Sequence, residues 1–550
     1  MRIASAGLVS ALILTLVALA AAPARAQLSP QVNPGLIEQN IERQRQRIEQ
    51  QGEAPKQQGP AVVGPGRAPA VQIPGGGQTF LLRRVIFDPS KFITPEELDA
   101  VAAKYVGRRV DIATLMALVA DVNAIYVARG IVTAIAILPP QTADKGVIKI
   151  KLTEGRLQKS SVIGNQQTRE SFIRSSVDPP AGEILDVPKL NQDVVRFNRT
   201  NEVQMRALLQ PGTDFGLTDL QLAITEPPVN TLQVFADNQG VKTTGRNEVG
   251  LYYKRHGLLG FDDRFTFYGV KSKGNINGNV AFNVPFNPWG GRIGISYTQG
   301  RIKIVQGQFE SLDVTGTSNQ TSLNISQPFW NNDVWMVQAT GAYGYGNSTS
   351  DFSAVPVSNS RYSKATGGLS LSAIAANYNL TISPAVNGIN WHDKILGGER
   401  SFTTFTGSVY GNLQLPSQFS AVLLGSWQYT GDKLLPGDQL FSVGGPTTVR
   451  GYATNTASGD SGYYFNFEVH RNMSDLIKGL DIYAFIDSGA VFSTFPAITQ
   501  LDSAGAGLSW TPYAAVTFEA SVGVPWRTVI VGQPRSEFYG RVTLRPLQLL

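Results

Sequence analysis

Residues 465–470 read FNFEVH. In an extended strand successive side chains point to opposite faces, so Phe465, Phe467 and Val469 share one face. Asn466, Glu468 and His470 share the other. The same two-sided pattern recurs in 538–545, where Phe538, Gly540, Val542 and Leu544 oppose Tyr539, Arg541, Thr543 and Arg545. It recurs again in 408–415, where Val409, Gly411, Leu413 and Leu415 oppose Ser408, Tyr410, Asn412 and Gln414. Apolar-out, polar-in alternation in segments of about ten residues is the pattern of a transmembrane β-barrel.

From Thr231 onward no helical period of any length interrupts it. The roughly 320 residues from 229 to 550, at roughly 20 per strand with its connection, predict about 16 antiparallel strands. Counting alone also admits 14 or 18. A soluble sandwich alternates too, but this region is very long for one. Short turns at 415–417 and 510–512 are expected on the periplasmic side, with longer polar loops outside. Working back from the C-terminus, 538–547 runs down, 514–524 up, 501–510 down, 481–489 up and 462–471 down. The segment 431–461 is then an extracellular loop.

That loop contains GGPTTVRGY, residues 444–452, and Arg450 is the sole charge between Gln439 and Gly459. The strand at 481–489 contains FIDSG, residues 485–489. There Ile482, Ala484 and Ile486 suit lipid, so Phe485, Asp487 and Gly489 face the lumen. A loop folded inward would bring Arg450 to Asp487. A partly shielded ion pair gains roughly 4 kcal/mol of Coulomb energy at an effective dielectric near 20, before desolvation offsets much of it. The pair is therefore read as a loop–barrel lock that sets register, against the plain alternative of a solvated loop arginine. Val449, Gly451 and Tyr452 are read as a tight loop tip, against a turn glycine and ordinary lumen filling. Trp391, Trp427 and Trp526 are read as membrane-interface aromatics.

Arg2, an apolar run over 7–22 and Ala24-Arg25-Ala26 make the pattern of a secretory signal peptide over 1–26. The apolar run is too short to span a bilayer. Residues 27–52 hold a polar helix whose Ile37, Ile41 and Ile48 fall on one narrow face, too thin to build a core. It is either a solvated tail or a helix docked inside something polar. Residues 53–78 are rich in Pro, Gly, Ala and Gln and read as a linker.

Two α+β units follow. In the first, 79–154, the strand 81–87 precedes a capping box at Thr94-Pro95-Glu96-Glu97. Asp111 opens a second helix with Ile112, Leu115, Val119, Val122 and Tyr126 on its apolar face, and Gly130 closes it. Strands at 131–138 and 147–152 complete a β-α-α-β-β order. The second unit, 155–227, repeats the pattern with strands 157–163, 203–209 and 218–224. The strand Ile131, Val132, Thr133, Ala134, Ile135, Ala136, Ile137, Leu138 is either an internal sheet strand or an edge that accepts an incoming chain by strand addition.

Among the 550 residues there is no cysteine and only His256, His392 and His470. Disulfides, thiolate metal sites and cysteine nucleophiles are excluded. No metal cluster, phosphate loop or nucleophile–base constellation stands out, so neither an enzyme nor a cofactor is expected. His470 beside Glu468 reads as channel hydration. A net charge of +6 over this length does not point to nucleic acid.

The chain resembles the outer-membrane transporters of two-partner secretion, of the haemolysin-activator and filamentous-haemagglutinin-transporter type. The resemblance rests on GIVTAIAILPPQ at 130–141, Glu154-Gly155, ADNQGVKTTG at 236–245, VRGY at 449–452 and Phe485-Ile486-Asp487, all in order. It implies two periplasmic POTRA domains before a 16-stranded barrel in the outer membrane, with the N-terminal helix as a plug in the lumen. It also implies a single large secreted exoprotein as partner, captured by the POTRA domains, with lipids and the barrel-assembly machinery as further partners. An assembly factor would use the same VRGY loop, but usually with more POTRA units. A passive porin would lack them. One departure is the C-terminus, Leu547-Gln548-Leu549-Leu550, which lacks the family's usual final aromatic residue.

Overall fold

The computed structural model describes residues 30–52, 61–64, 78–492 and 498–548. The signal peptide and most of the Pro/Gly linker read from the sequence lie outside them.

Sixteen antiparallel strands, from Asn230–Asp237 to Glu537–Leu544, close into one barrel. Each pairs with its neighbour in the chain, and the first pairs with the last, from Val234↔Leu544 to Asp237↔Arg541. The alternation read from the sequence is the inside–outside pattern of the wall. Phe465 and Phe467 are 39% and 47% exposed on the outer face, whereas Asn466 between them is 2% exposed. Closure matters because a sheet edge in hydrocarbon would leave backbone groups without partners.

The connections depart from expectation in two places. Trp335–Phe352 and Val355–Ile374 are 18 and 20 residues long, about twice what a tilted strand needs to cross a bilayer. They meet at a tight turn through Ser353 and Ala354, both at positive φ, so this polar extracellular excursion is a paired hairpin and not an irregular loop. On the periplasmic side the strand Thr499–Tyr513 runs through 510–512 with a register shift between Trp510 and Tyr513. The turn there comes after Tyr513.

In the first α+β unit, helix Pro95–Ala103 starts at the Thr94 capping box, and Asp111 caps helix Ile112–Ala128. Both helices pack on a three-stranded sheet ordered Arg84–Phe87, Val147–Glu154, Ala134–Ile137. The expected strand at 81–87 is split, because Phe80–Leu81 pairs separately with Arg109–Val110. The expected strand at 131–138 shortens to Ala134–Ile137, and it is an edge. Ile131 is instead buried in the unit's core.

The second unit has a four-stranded sheet ordered Val62–Val63, Gln204–Pro211, Leu217–Thr225, Arg156–Ile163. Its first member comes from the stretch read as linker. Val62 and Val63 pair in parallel with Ala207 and Leu208. A pair of β-branched residues inside a Pro/Gly-rich run suffices for strand addition where a sheet edge lies alongside.

Helix Pro34–Gly52 lies inside the barrel. The Asn33 side chain caps it, accepting from the Gly35 and Leu36 amides at 3.0 and 3.4 Å. Ile37, Ile41 and Ile48 are buried against Phe235, Tyr252, Tyr268, Val270 and Ile302 of the wall. The thin stripe is thus matched to a narrow apolar patch in an otherwise polar lumen. Burying each such side chain stabilises the docked helix by about 1.5–3 kcal/mol.

Candidate functional site: the inward loop and the lumen helix

The loop between Phe419–Tyr429 and Ser461–Asn472 folds down into the barrel, stiffened by a two-stranded sheet of Phe441–Val443 and Ala457–Gly459. Arg450 reaches Asp487 as the alternation required. Its Nε and Nη2 donate to the two carboxylate oxygens at 2.8 and 2.7 Å, and its backbone amide donates to Oδ2 at 2.9 Å. Arg450 and Asp487 are 5% and 0% exposed. The guanidinium also lies 3.5 Å from the Phe485 ring centroid. A forked, planar cation bonded at two edges and stacked on a ring is a geometry lysine cannot reproduce.

A second carboxylate, not anticipated as a partner, completes the clasp. Glu468 Oε1 lies 2.7 Å from Arg450 Nη1. Its other oxygen meets His470 Nε2 at 2.9 Å, and His470 Nδ1 meets Asp481 at 2.7 Å while its ring stacks on Tyr483. His470 is therefore part of the ion-pair chain behind Arg450, which corrects its reading as mere channel hydration. Alternation shows Glu468 and Asp487 to be inward-facing, and the register between their strands, with Asn466 paired to Asp487 and Glu468 to Phe485, brings both carboxylates to Arg450.

The rest of the tip is equally close-fitted. Val449 is fully buried and packs on Gly489, where an added Cβ would come within 2.9 Å of it. Gly451 has φ +88°, a left-handed conformation that favours glycine. The Tyr452 hydroxyl donates to the Asp502 carbonyl at 3.0 Å, and the Tyr539 hydroxyl donates to the Tyr452 carbonyl at 2.8 Å.

Loop and helix also hold each other. Gln39, Arg43 and Arg47, at successive turns of the helix, donate to the carbonyls of Leu440, Ser442 and Pro446. Asn40 accepts from Thr447 at 3.1 Å. Leu36 packs with Leu435, Leu440, Phe402 and Trp391. Trp391 is 8% exposed and faces the lumen, so it is not a membrane-interface residue. Trp427 covers Gly407 on the outer face, and Trp526 is 59% exposed in an extracellular connection.

The second periplasmic unit is fixed to the barrel by a buried polar junction that sequence reading missed. Arg292 Nη1 donates to Asp262 Oδ2 at 2.9 Å and to the Thr200 carbonyl at the end of helix Val187–Thr200 at 3.1 Å. His256 Nε2 lies 2.9 Å from Asp262 Oδ1, which also accepts from the Val203 amide. Burial alone would raise the Glu202 carboxyl, but Arg264 and Lys254 of the barrel hold it below the usual carboxylate range.

A profile of the haemolysin secretion/activation proteins ShlB/FhaC/HecB matches residues 216–511. The chain belongs to that family. A ShlB-type POTRA profile matches 80–155. The transporter is 28% identical over 486 residues to the outer membrane transporter CdiB of Dickeya dadantii, covering 84% of each chain. It is 24% identical over 490 residues to the heme/hemopexin transporter protein HuxB of Haemophilus influenzae, covering 81% of this chain and 83% of that one. Its fold matches that of CdiB from Escherichia coli with a TM-score of 0.70 at 21% identity, covering 95% and 100% of the two chains. It is an outer-membrane transporter of two-partner secretion, a sixteen-stranded barrel with its POTRA units in the periplasm.

Proposed function

We propose that this transporter secretes one large exoprotein, taken up unfolded by the POTRA units and passed through the barrel without nucleotide. The observation that carries this reading is the doubly occupied lumen. The lumen is filled from one side by helix Pro34–Gly52 and from the other by the loop that Arg450 ties to Asp487 and Glu468. A passive porin has no use for such a double obstruction, and opening then requires displacement of both.

The capture edge is the strand Ala134–Ile137. Its outward-facing Ala136 amide and carbonyl are held by the Asn123 side chain at 2.8 and 3.1 Å. That single amide is a stand-in for a neighbouring strand, and its rotation would expose the edge. The Gln204–Pro211 edge of the second unit is covered already by Val62–Val63. Strand addition supplies main-chain hydrogen bonds without demanding a particular client sequence.

The test is photo-crosslinking from position 135 during secretion, with the transporter and its exoprotein co-expressed. Ile135 is 43% exposed on this edge. Adducts with the exoprotein are expected. Continued secretion with no adduct at 135 would remove this edge from the account.

A further inference from the structure

The outer wall of the barrel carries a groove of about 770 Å³ across the strands Asn230–Asp237 to Arg292–Lys303. Its floor is a directly paired couple of outward-facing glycines, Gly269 and Gly278. An added Cβ on Gly278 would find nothing nearer than 3.7 Å. Leu251, Phe267 and Ile276 wall the dent, with Val249 above. The two glycines leave a gap in the row of outward side chains wide enough for something narrow and apolar; among the described residues, the similar pair Gly341 and Gly367 on the same wall has no cationic rim in a groove beside it.

The upper end of the groove is charged. Lys271 and Arg301 are the cross-strand partners of Ile276 on either side. Both are exposed and line the groove, and neither side chain makes a hydrogen bond or ion pair among the described residues. The neighbouring Lys303 is occupied by Asp313 at 2.8 Å. The two free cations stand about 10 Å apart, two inter-strand spacings. Their level is fixed by topology. The connections at 257–263 and 286–291 meet the second POTRA unit through Asp262 and Gly290, so the opposite ends, at Lys271 and Arg301, are extracellular.

We infer that this groove is a binding site for a phosphorylated glycolipid of the outer leaflet, with an acyl chain over Gly269 and Gly278 and phosphate groups on Lys271 and Arg301. Position commits the occupant to lipid, because the apolar half of the groove faces hydrocarbon. Charge selects among lipids, because two unpaired cations at the outer interface attract anionic headgroups and gain nothing from zwitterionic ones.

The experiment is native mass spectrometry of the full-length transporter in detergent. The probes are bisphosphorylated lipid A, the same lipid dephosphorylated, and phosphatidylethanolamine. The transporter is expected to retain one bisphosphorylated lipid over the other two by roughly 30-fold, about fivefold for each basic side chain. The double variant Lys271→Gln/Arg301→Gln should lose that preference, and Gly278→Leu should weaken retention of all acylated probes. Equal retention of the dephosphorylated lipid, or an unchanged preference in the double variant, would overturn the site. The double variant leaves the apolar surface intact, so it decides the matter even where Gly278→Leu assembles poorly.

Discussion

The backbone of Gly451, at the loop tip, rests directly on the backbone of Gly523 in the barrel wall. A Cβ on Gly523 would lie 2.5 Å from the Gly451 amide nitrogen, and a Cβ on Gly451 would lie 3.0 Å from the Gly523 carbonyl carbon. The contact lets Arg450 sink to the depth of Asp487. Gly523→Ala should therefore lift the tip and draw Arg450 away from Asp487 with both charged side chains still present, and Gly451→Ala adds about 1–2 kcal/mol of left-handed strain. Limited proteolysis of intact cells should cut 431–461 faster in both variants. Wild-type protection in Gly523→Ala would show that the close approach does not hold the loop.

The clasp predicts a ranking. Removing one partner of a buried ion pair costs about 3–5 kcal/mol, because the other charge is left unpaired. Arg450→Ala and Asp487→Ala should each lower secretion at least tenfold while the barrel stays heat-modifiable on gels. Arg450→Lys should resemble Arg450→Ala, since lysine cannot bridge Asp487 and Glu468 while lying on Phe485. Glu468→Gln should be the mildest. Secretion assays that rank Arg450→Lys with the wild type would contradict the forked geometry.

The lumen helix is held by few apolar contacts, so each should weigh heavily. Ile41→Ala removes packing worth about 2–5 kcal/mol at a buried site. Hydrogen exchange of 34–52 should then accelerate by roughly 30-fold or more, with the barrel strands unchanged. Exchange that stays slow would place the helix's stability in its polar ladder to the loop.

Where the second POTRA unit joins the barrel, Glu226 accepts from the amides of Gln166, Gln167 and Thr168, the shortest at 2.7 Å. Burial pulls its carboxyl upward, but these amides outweigh it and hold the group below its ordinary range. A depressed carboxylate contributes stability that is present above its unfolded pKa, about 4.3, and is lost as pH falls through the folded value. The loop at 165–168 should loosen on acidification below about pH 4, and Glu226→Gln should flatten that dependence. Amide exchange at Thr168 as a function of pH measures it, and a wild-type profile already flat would refute the assignment.

Period-two alternation made the barrel, its strand directions and the inward face of Asp487 legible in sequence, because one side of every strand must satisfy lipid. Arg450 was legible as a lone charge in a long neutral loop. Glu468 was visible as inward-facing, but its bond to Arg450 depends on the register between two strands, which alternation alone does not set. Gly523 carried no signal at all, since a glycine in a strand reads as a weak position until another backbone is seen against it. Trp391 was misplaced because aromatic residues suit both a membrane interface and a lumen packed around a helix. Val62–Val63 was hidden by its Pro/Gly-rich surroundings, and Arg292–Asp262 by distance along the chain.

Helix and loop together should close the resting pore. Single-channel conductance in planar bilayers tests this most directly, comparing the mature chain with one lacking residues 34–52 and with that deletion combined with Arg450→Ala. A stepwise increase is expected, modest for the deletion and larger for the combination. Equal conductance in all three would contradict it.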